Sequence, residues 1–271
     1  MSVVRAAEDA RGVVDLHSHL MPGVDDGAID IDESRAALEH LRAEGVVALV
    51  TTPHVAATVL RRAEAWAQRR RELDEAWDRL CACVPEGERP MLHRGVELRL
   101  DDPQPDLSDP SVRMAGGSFV LVEFPYFTIP PRSTSVMSRI RRDGFVPIIA
   151  HPERYAGILE DEELIGAWRE NGAYLQVNGR SLIGRYGAEA RAAAYRLLAK
   201  GWVDYLGSDY HARGRSEIRS YCSLVDELGD PERTRLLTET NPQRLIASEM
   251  PLPVQPIERG LWQRVRDALG A

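Results

Sequence analysis

The chain is short of cysteine, lysine, net positive charge and long apolar runs, and each shortage removes a class of protein. Three cysteines (Cys81, Cys83, Cys222) among 271 residues are too few, and odd in number, for a disulfide scaffold. They suit reduced thiols in a cytosol. A formal net charge of −8, with nearly all basic residues arginine and no basic track, argues against a nucleic-acid partner. No apolar run approaches the roughly 18–20 residues that span a bilayer, so no membrane insertion is expected. The opening MSVVRAAEDARG carries acids and lacks the apolar stretch of a signal peptide, which predicts a cytoplasmic location. What is present is ordinary for a globular protein: 44% hydrophobic and 28% charged residues. Seven histidines complete the inventory, and most stand at sharply chosen places.

Short apolar strands alternate with amphipathic helices. Strands are expected at residues 13–16, 46–50, 91–96, 119–123, 146–150, 174–177 and 203–206. Helices are expected at 33–44, 59–80, 136–143, 162–170, 188–200, 217–228 and 232–238, several stopped by a glycine. Seven β-then-α units predict an α/β fold with a parallel sheet covered by helices. Periodicity does not separate a closed barrel from an open doubly wound sheet. The expected organisation is an N-terminal extension (1–12), one domain (13–248) and a proline-rich tail (249–271) with a short helix at 260–269.

The chemistry-bearing residues collect at strand ends. His17 and His19 follow the first strand, two residues apart and so on one face of an extended chain. His54 follows the second strand, Glu97 ends the third, Glu123 the fourth and His151 the fifth, while Asp209 and His211 end the seventh. In parallel α/β folds the carboxyl ends of the strands are where sites form. Histidine and carboxylate donors without cysteine suit Mn, Fe, Co or Zn bound as a Lewis acid. Asp15 shares the parity of His17 and His19 and is either a further ligand or an orienter of one. His40 and His93 fall within a helix and a strand and read as packing residues.

In order along the chain, DLHSHLMPGVDDGA, TTPH, GVELRL, VEFP, AHPERY, LQVNGRSLIG and GSDYHA resemble the motifs of the PHP (polymerase and histidinol phosphatase) superfamily. They resemble in particular its CpsB/CapC-type branch of bacterial metal-dependent protein-tyrosine phosphatases. The resemblance runs from about residue 13 to 245. It implies a distorted (β/α)7 TIM-like barrel, the PHP fold, in a single domain with a trinuclear metal centre. The cofactors implied are three divalent ions, manganese first, with iron, cobalt or zinc as alternatives. One ion would be held by His17, His19, Glu97 and Asp209. Glu97 would bridge to a second held with Glu123 and His151, and the third would sit among Asp26, His54 and His211. Only the motif promotes Asp26, which otherwise reads as a turn residue.

Arg154 in HPERY and Arg215 in HARGR are the expected catalytic and phosphate-binding arginines, because guanidinium groups clamp phosphate oxygens in pairs. Arg213 is the alternative to Arg215. His54 and His211 are candidate proton donors, and neither is preferred. Tyr126 either stacks on a substrate phenol or packs on the barrel rim. The expected reaction is direct hydrolysis of protein phosphotyrosine. The resemblance implies, as substrate, the C-terminal tail of a bacterial tyrosine autokinase controlling capsule or exopolysaccharide synthesis. Histidinol phosphate is the alternative substrate. A cysteine-dependent route through Cys83 and Arg89 is rejected: the loop between them carries glutamates that repel phosphate and leads into a strand, not a helix N-terminus.

Overall fold

The computed structural model describes residues 12–85, 87–158, 160–228 and 231–257. The helix expected at 260–269 and nearly all of the N-terminal extension lie outside them. Strands β1 (Val13–Ser18), β2 (Val46–Thr51) and β4 (Met91–Arg94) form one sheet in the order β1-β2-β4. Strands β3 (His54–Ala56), β5 (Glu97–Arg99), β6 (Phe119–Glu123), β7 (Val146–Ala150), β8 (Tyr174–Asn178) and β9 (Tyr205–Gly207) form the other, in that order. Every pairing is parallel.

The seven expected strands are all there, and the second and third are each followed, after a break, by a further short strand that was not expected. The second is interrupted at Thr52-Pro53, where proline has no N–H to extend the ladder. The third is interrupted at Gly95-Val96, where the Gly95 N–H turns to the Thr51 carbonyl at 3.0 Å. Each break places the further strand in the second sheet. The first and last strands then meet. The Asp209 N–H donates to the His17 carbonyl at 2.8 Å, the His19 N–H to that of Tyr210 at 2.8 Å, and Ser18 bridges Tyr210 in parallel. Seven strand positions thus follow one another in a distorted, barrel-like arrangement of two parallel sheets.

Alternation along the strands sorts the core into two layers. Val14, Leu16, Phe119, Leu121, Ile148 and Tyr205 belong to one buried cluster. Val120, Val122, Ile149, Leu175 and Leu206 pack in the other with the helices. Those helices are α1 (Ile31–Ala43), α2 (Ala63–Cys81), α3 (Ser133–Arg142), α4 (Glu162–Glu170), α5 (Gly187–Ala199) and α6 (Ile218–Glu227). The single helix expected at 59–80 is instead a turn, Ala57–Leu60, followed by α2. Asp101 binds the Thr58 N–H and hydroxyl and Asp102 binds Arg61, tying that turn to the loop beyond β5. The helix expected at 232–238 begins at Pro231 and passes into a π-helical turn, Leu236–Thr240. Beyond it, Val254 and Ile257 are buried against the core, and the Ile257 N–H reaches the Ala199 carbonyl at 2.8 Å.

Asp15 ties the first strand to the last. Its carboxylate accepts from the Ser208 N–H at 2.9 Å and the Ser208 hydroxyl at 2.5 Å, joining β1 to the end of β9. Replacing Asp15 with alanine strands those buried donors. We expect Asp15→Ala to lower stability by about 2–4 kcal/mol in urea unfolding. A loss below about 0.5 kcal/mol would show that this junction rests elsewhere.

Candidate metal centre

Local backbone features bring the expected residues together. Pro53 ends β2, so His54 opens β3 directly opposite Glu97, which opens β5. Glu123 closes β6. His151 and Asp209, just past β7 and β9, have φ of 35° and 50°. Side chains rarely adopt such left-handed backbone, and it concentrates at working sites. The register of β1 shifts between Asp15 and Ser18, so regular alternation does not carry from Asp15 to His17. Asp15 accordingly binds Ser208 and belongs to none of the donor groups.

Three groups of donor atoms adjoin one another, two of them containing Glu97. His17, His19, Glu97 and Asp209 make the first and are buried throughout. His17 Nε2 lies 3.1 Å from Glu97 Oε2 and 3.4 Å from Asp209 Oδ1; His19 Nε2 lies 3.4 Å and 3.5 Å from the same two atoms. The two Nε2 atoms are 3.2 Å apart. The second group is His54, Glu97 and Glu123, with His54 Nδ1 at 3.2 Å from Glu97 and 3.3 Å from Glu123. The third is His19, Asp26, His54 and His211, in which Asp26 Oδ1 stands 3.5 Å from His54 and 3.4 Å from His211. His151, expected with Glu97 and Glu123, lies against Glu97 but falls in none of the three groups. Its Nε2 lies 2.8 Å from Glu97 Oε1, and His54 takes the position beside Glu123.

These donors fit divalent cations. Ligands about 2.1 Å from one ion stand roughly 3.0–3.4 Å from each other, which is the spacing found. His54 Nδ1, His151 Nδ1 and Glu97 Oε2 are buried with no hydrogen-bond partner among the described residues. Two histidines are oriented for ligation from behind, by residues that the sequence reading had not singled out. Gln176 Oε1 lies 2.8 Å from His17 Nδ1, and Asp25 Oδ2 lies 2.8 Å from His19 Nδ1. A proton on each Nδ1 leaves the Nε2 lone pairs facing the centre.

The electrostatics follow from this crowding. Burial opposes charge on His17, but Glu97 and Asp209 override it and raise its pKa to about 9. His19 is likewise driven well above its ordinary value against burial, by Asp209, Asp25 and Glu97. Burial works to raise the Asp25 carboxyl, yet His19 and the Gly27 N–H hold it down to about 2. Burial lowers His211, and the neighbouring His19 charge adds to the effect.

The loop carrying Asp26 is pinned on all sides. A Cβ on Gly27 would stand 2.1 Å from the His19 carbonyl oxygen, so only glycine lets the loop lie this close. Arg69 donates to the Val24 and His54 carbonyls at 2.8 and 3.1 Å. Arg213 donates to the carbonyls of Asp26 and of Gly27, the latter at 2.6 Å.

The expected arginines part company. Arg154 binds Asp209 Oδ2 at 2.9 Å, with its guanidinium 4.5 Å from the Phe127 ring and 4.3 Å from that of Tyr186. Arg215 is exposed and makes no hydrogen bond or ion pair among the described residues. Tyr126 is 95% exposed and lines a cleft of about 510 Å³ together with Arg154. On β8, Asn178 Nδ2 donates to Asp209 Oδ2 at 2.8 Å, and Gln176 Nε2 to Asn178 Oδ1 at 3.0 Å.

The raised histidines set a pH dependence for the metal-free chain. A folded pKa of about 9 against 6.5 unfolded gives stability that is full below 6.5 and lost as pH rises through 9. Metal needs the neutral ring, so ions compete with those protons. Thermal melts of chelator-treated protein should therefore fall across this window, while manganese affinity should rise. Melting temperatures flat from pH 6 to 9 would contradict the histidine–carboxylate pairing.

Comparison with known proteins matches this architecture. The profile of the family described as capsular polysaccharide synthesis, CpsB/CapC, matches residues 13–247. The tyrosine-protein phosphatase YwqE of Bacillus subtilis is 28% identical over 259 residues, 91% of this chain and 97% of that one. The tyrosine-protein phosphatase CpsB of Streptococcus pneumoniae is 25% identical, over 88% of this chain and 100% of that one. A crystal structure from work on YwqE and CpsB as metal-dependent tyrosine phosphatases superposes with a TM-score of 0.70 at 26% identity, covering 91% of this chain and 100% of that one. With the family profile matched over residues 13–247, the chain belongs to the CpsB/CapC family.

Proposed function

We propose that this chain is a metal-dependent phosphatase that removes phosphate from protein phosphotyrosine. The observation that carries the reading is the convergence of four histidines and four carboxylates on three donor groups that share Glu97, His19 and His54. Its relatives named tyrosine-protein phosphatases support the substrate class. In the proposal, three divalent ions occupy the groups, with manganese the first choice. His151 serves through Glu97 Oε1, the atom it contacts. Divalent ions bound there supply Lewis-acid neutralisation of phosphoryl oxygens and a nucleophile at neutral pH.

The chain's own residues do the rest. Asp25 and Gln176 keep the His19 and His17 rings turned with Nε2 inward. Asp209 and the two flanking rings hold Arg154 at the edge of the first group, with guanidinium donors left over for phosphate oxygens. That charge helps most as the phosphoryl group passes from one oxygen to another. The leaving phenolate, with a pKa of about 10, needs little protonation, so no side chain is assigned as general acid. Tyr126, exposed beside Arg154, is placed to lie against a substrate ring. We assign no phosphate contact to Arg215. The family's part in capsular polysaccharide synthesis supports the tyrosine-rich tail of a cytoplasmic autokinase as substrate. Among the described residues no helix is long and apolar enough to cross a membrane.

Steady-state rates with a phosphotyrosine peptide and with histidinol phosphate, manganese added, test the proposal. The peptide should be the better substrate, and a clear preference for histidinol phosphate would overturn the reading. Chelator should abolish activity and manganese restore it. Cys83→Ser should leave rates unchanged, since the Cys83 thiol faces the Arg79 carbonyl. The reverse pair of outcomes would move the chemistry to the thiol. Arg154→Ala should lower kcat/KM about a hundredfold or more. Lysine should not rescue it, because an ammonium cannot stack flat between two rings while binding Asp209.

A further inference from the structure

We propose that the cleft beside Arg154 is a subsite for a lysine or arginine side chain flanking the phosphotyrosine, an inference that rests on the phosphotyrosine reading above. Arg154 is the wall that the cleft and the metal centre share: it lines the cleft and binds Asp209. A phosphate held at the centre therefore leaves the neighbouring substrate residue at the cleft mouth. The cleft measures about 510 Å³, room enough for one long side chain.

Its lining is apolar on the walls and acidic around them. Tyr126, Phe127, Tyr186, Ile158 and Ala190 supply rings and aliphatic surface. Three carboxylates accompany them: Glu153, Glu160 and Glu189. Glu160 and Glu189 are exposed and pair with no described residue. Glu153 is enclosed. It is only 2% exposed, and its Oε1 accepts from the Asn178 N–H at 3.0 Å and the Ser181 hydroxyl at 2.7 Å. Its other oxygen, Oε2, has no partner. That oxygen is sealed within the wall, so the charge that faces the cleft is that of the exposed Glu160 and Glu189.

The cations already present do not answer these carboxylates. Arg154 is committed to Asp209 and, in the reading above, to the phosphate, and Arg180, 5.5 Å from the Tyr186 ring, is held by Glu217 at 3.4 Å. An acidic flanking residue would meet the two exposed carboxylates, and an aliphatic one would leave both unanswered. A lysine or arginine fits both halves, its alkyl stem on the aromatic wall and its charged head among the acids.

The test uses manganese-loaded enzyme and three phosphotyrosine peptides carrying lysine, alanine or glutamate at both flanking positions. Rates are normalised to p-nitrophenyl phosphate hydrolysis by the same preparation, which removes differences in folding and metal loading. The lysine peptide should exceed the glutamate peptide in kcat/KM by about tenfold, with the difference shrinking at high salt. The double change Glu160→Lys and Glu189→Lys should erase or invert that order. Equal rates on all three peptides, or a glutamate preference in the unaltered enzyme, would overturn the subsite. Failure to hydrolyse any phosphotyrosine peptide while histidinol phosphate is turned over would instead overturn the reading beneath it.

Discussion

The centre of the molecule depends on one buried carboxylate. Glu97 is fully enclosed, and its two oxygens face four imidazoles: His151 from Oε1, and His17, His19 and His54 from Oε2. An isolated carboxylate in such a place would cost several kcal/mol, so its presence requires positive charge beside it. Burial would raise its pKa, yet His17, His151 and His19 hold it well below the ordinary range. Protons on the histidines supply that charge when no metal is bound. Divalent cations supply it without needing the protons, which ties ionic chemistry to the stability of the barrel.

The fold reaches this arrangement by breaking its own regularity. A barrel of seven uninterrupted strands would deliver its side chains only at the rim. The cuts at Pro53 and Gly95 let His54 and Glu97 begin new strands side by side. The left-handed residues His151 and Asp209 turn the chain sharply where β7 and β9 end. Backbone strain of this kind costs about 1–3 kcal/mol per residue and persists where surrounding contacts enforce it. Here Asp209 is enforced through its carboxylate, by Asn178 and Arg154, and His151 through Glu97.

This explains what the sequence made legible. Strand β6, strand β7 and helix α4 fall at their expected boundaries because each is a short pattern ended by a strong local signal. The clustering at strand ends was readable because histidine is scarce, seven in 271 residues, and five of the seven (His17, His19, His54, His151, His211) stand at expected strand ends. The strand breaks were not readable, since a proline or glycine within an apolar stretch does not reveal which sheet receives the next residue. Gln176 and Asn178 were hidden for a different reason. They are neutral amides on the one strand without ligand-type residues, and their work appears only when β1 and β9 close beside them. Asp25 was masked by its neighbour, because a DD pair does not say which member points to a histidine and which to a cation. Arg213 and Arg215 were inseparable by spacing, and only the Asp26 and Gly27 carbonyls tell them apart.

The two oxygens of Asp209 divide their labour in a way that joins metal binding to substrate binding. Oδ1 faces His17 and His19, within the first donor group. Oδ2 receives Arg154 and Asn178. The guanidinium is thus located by the same carboxylate that completes the donor set, and the amide from β8 fixes the rotation of that carboxylate. A change in one half is felt in the other, because the carboxylate is planar and its oxygens move together. Positioning errors of about 1 Å are enough to lower rates a hundredfold. A centre that shared no side chain with its phosphate clamp would tolerate drift between the two. This one converts correct assembly of the donor group into correct placement of the arginine.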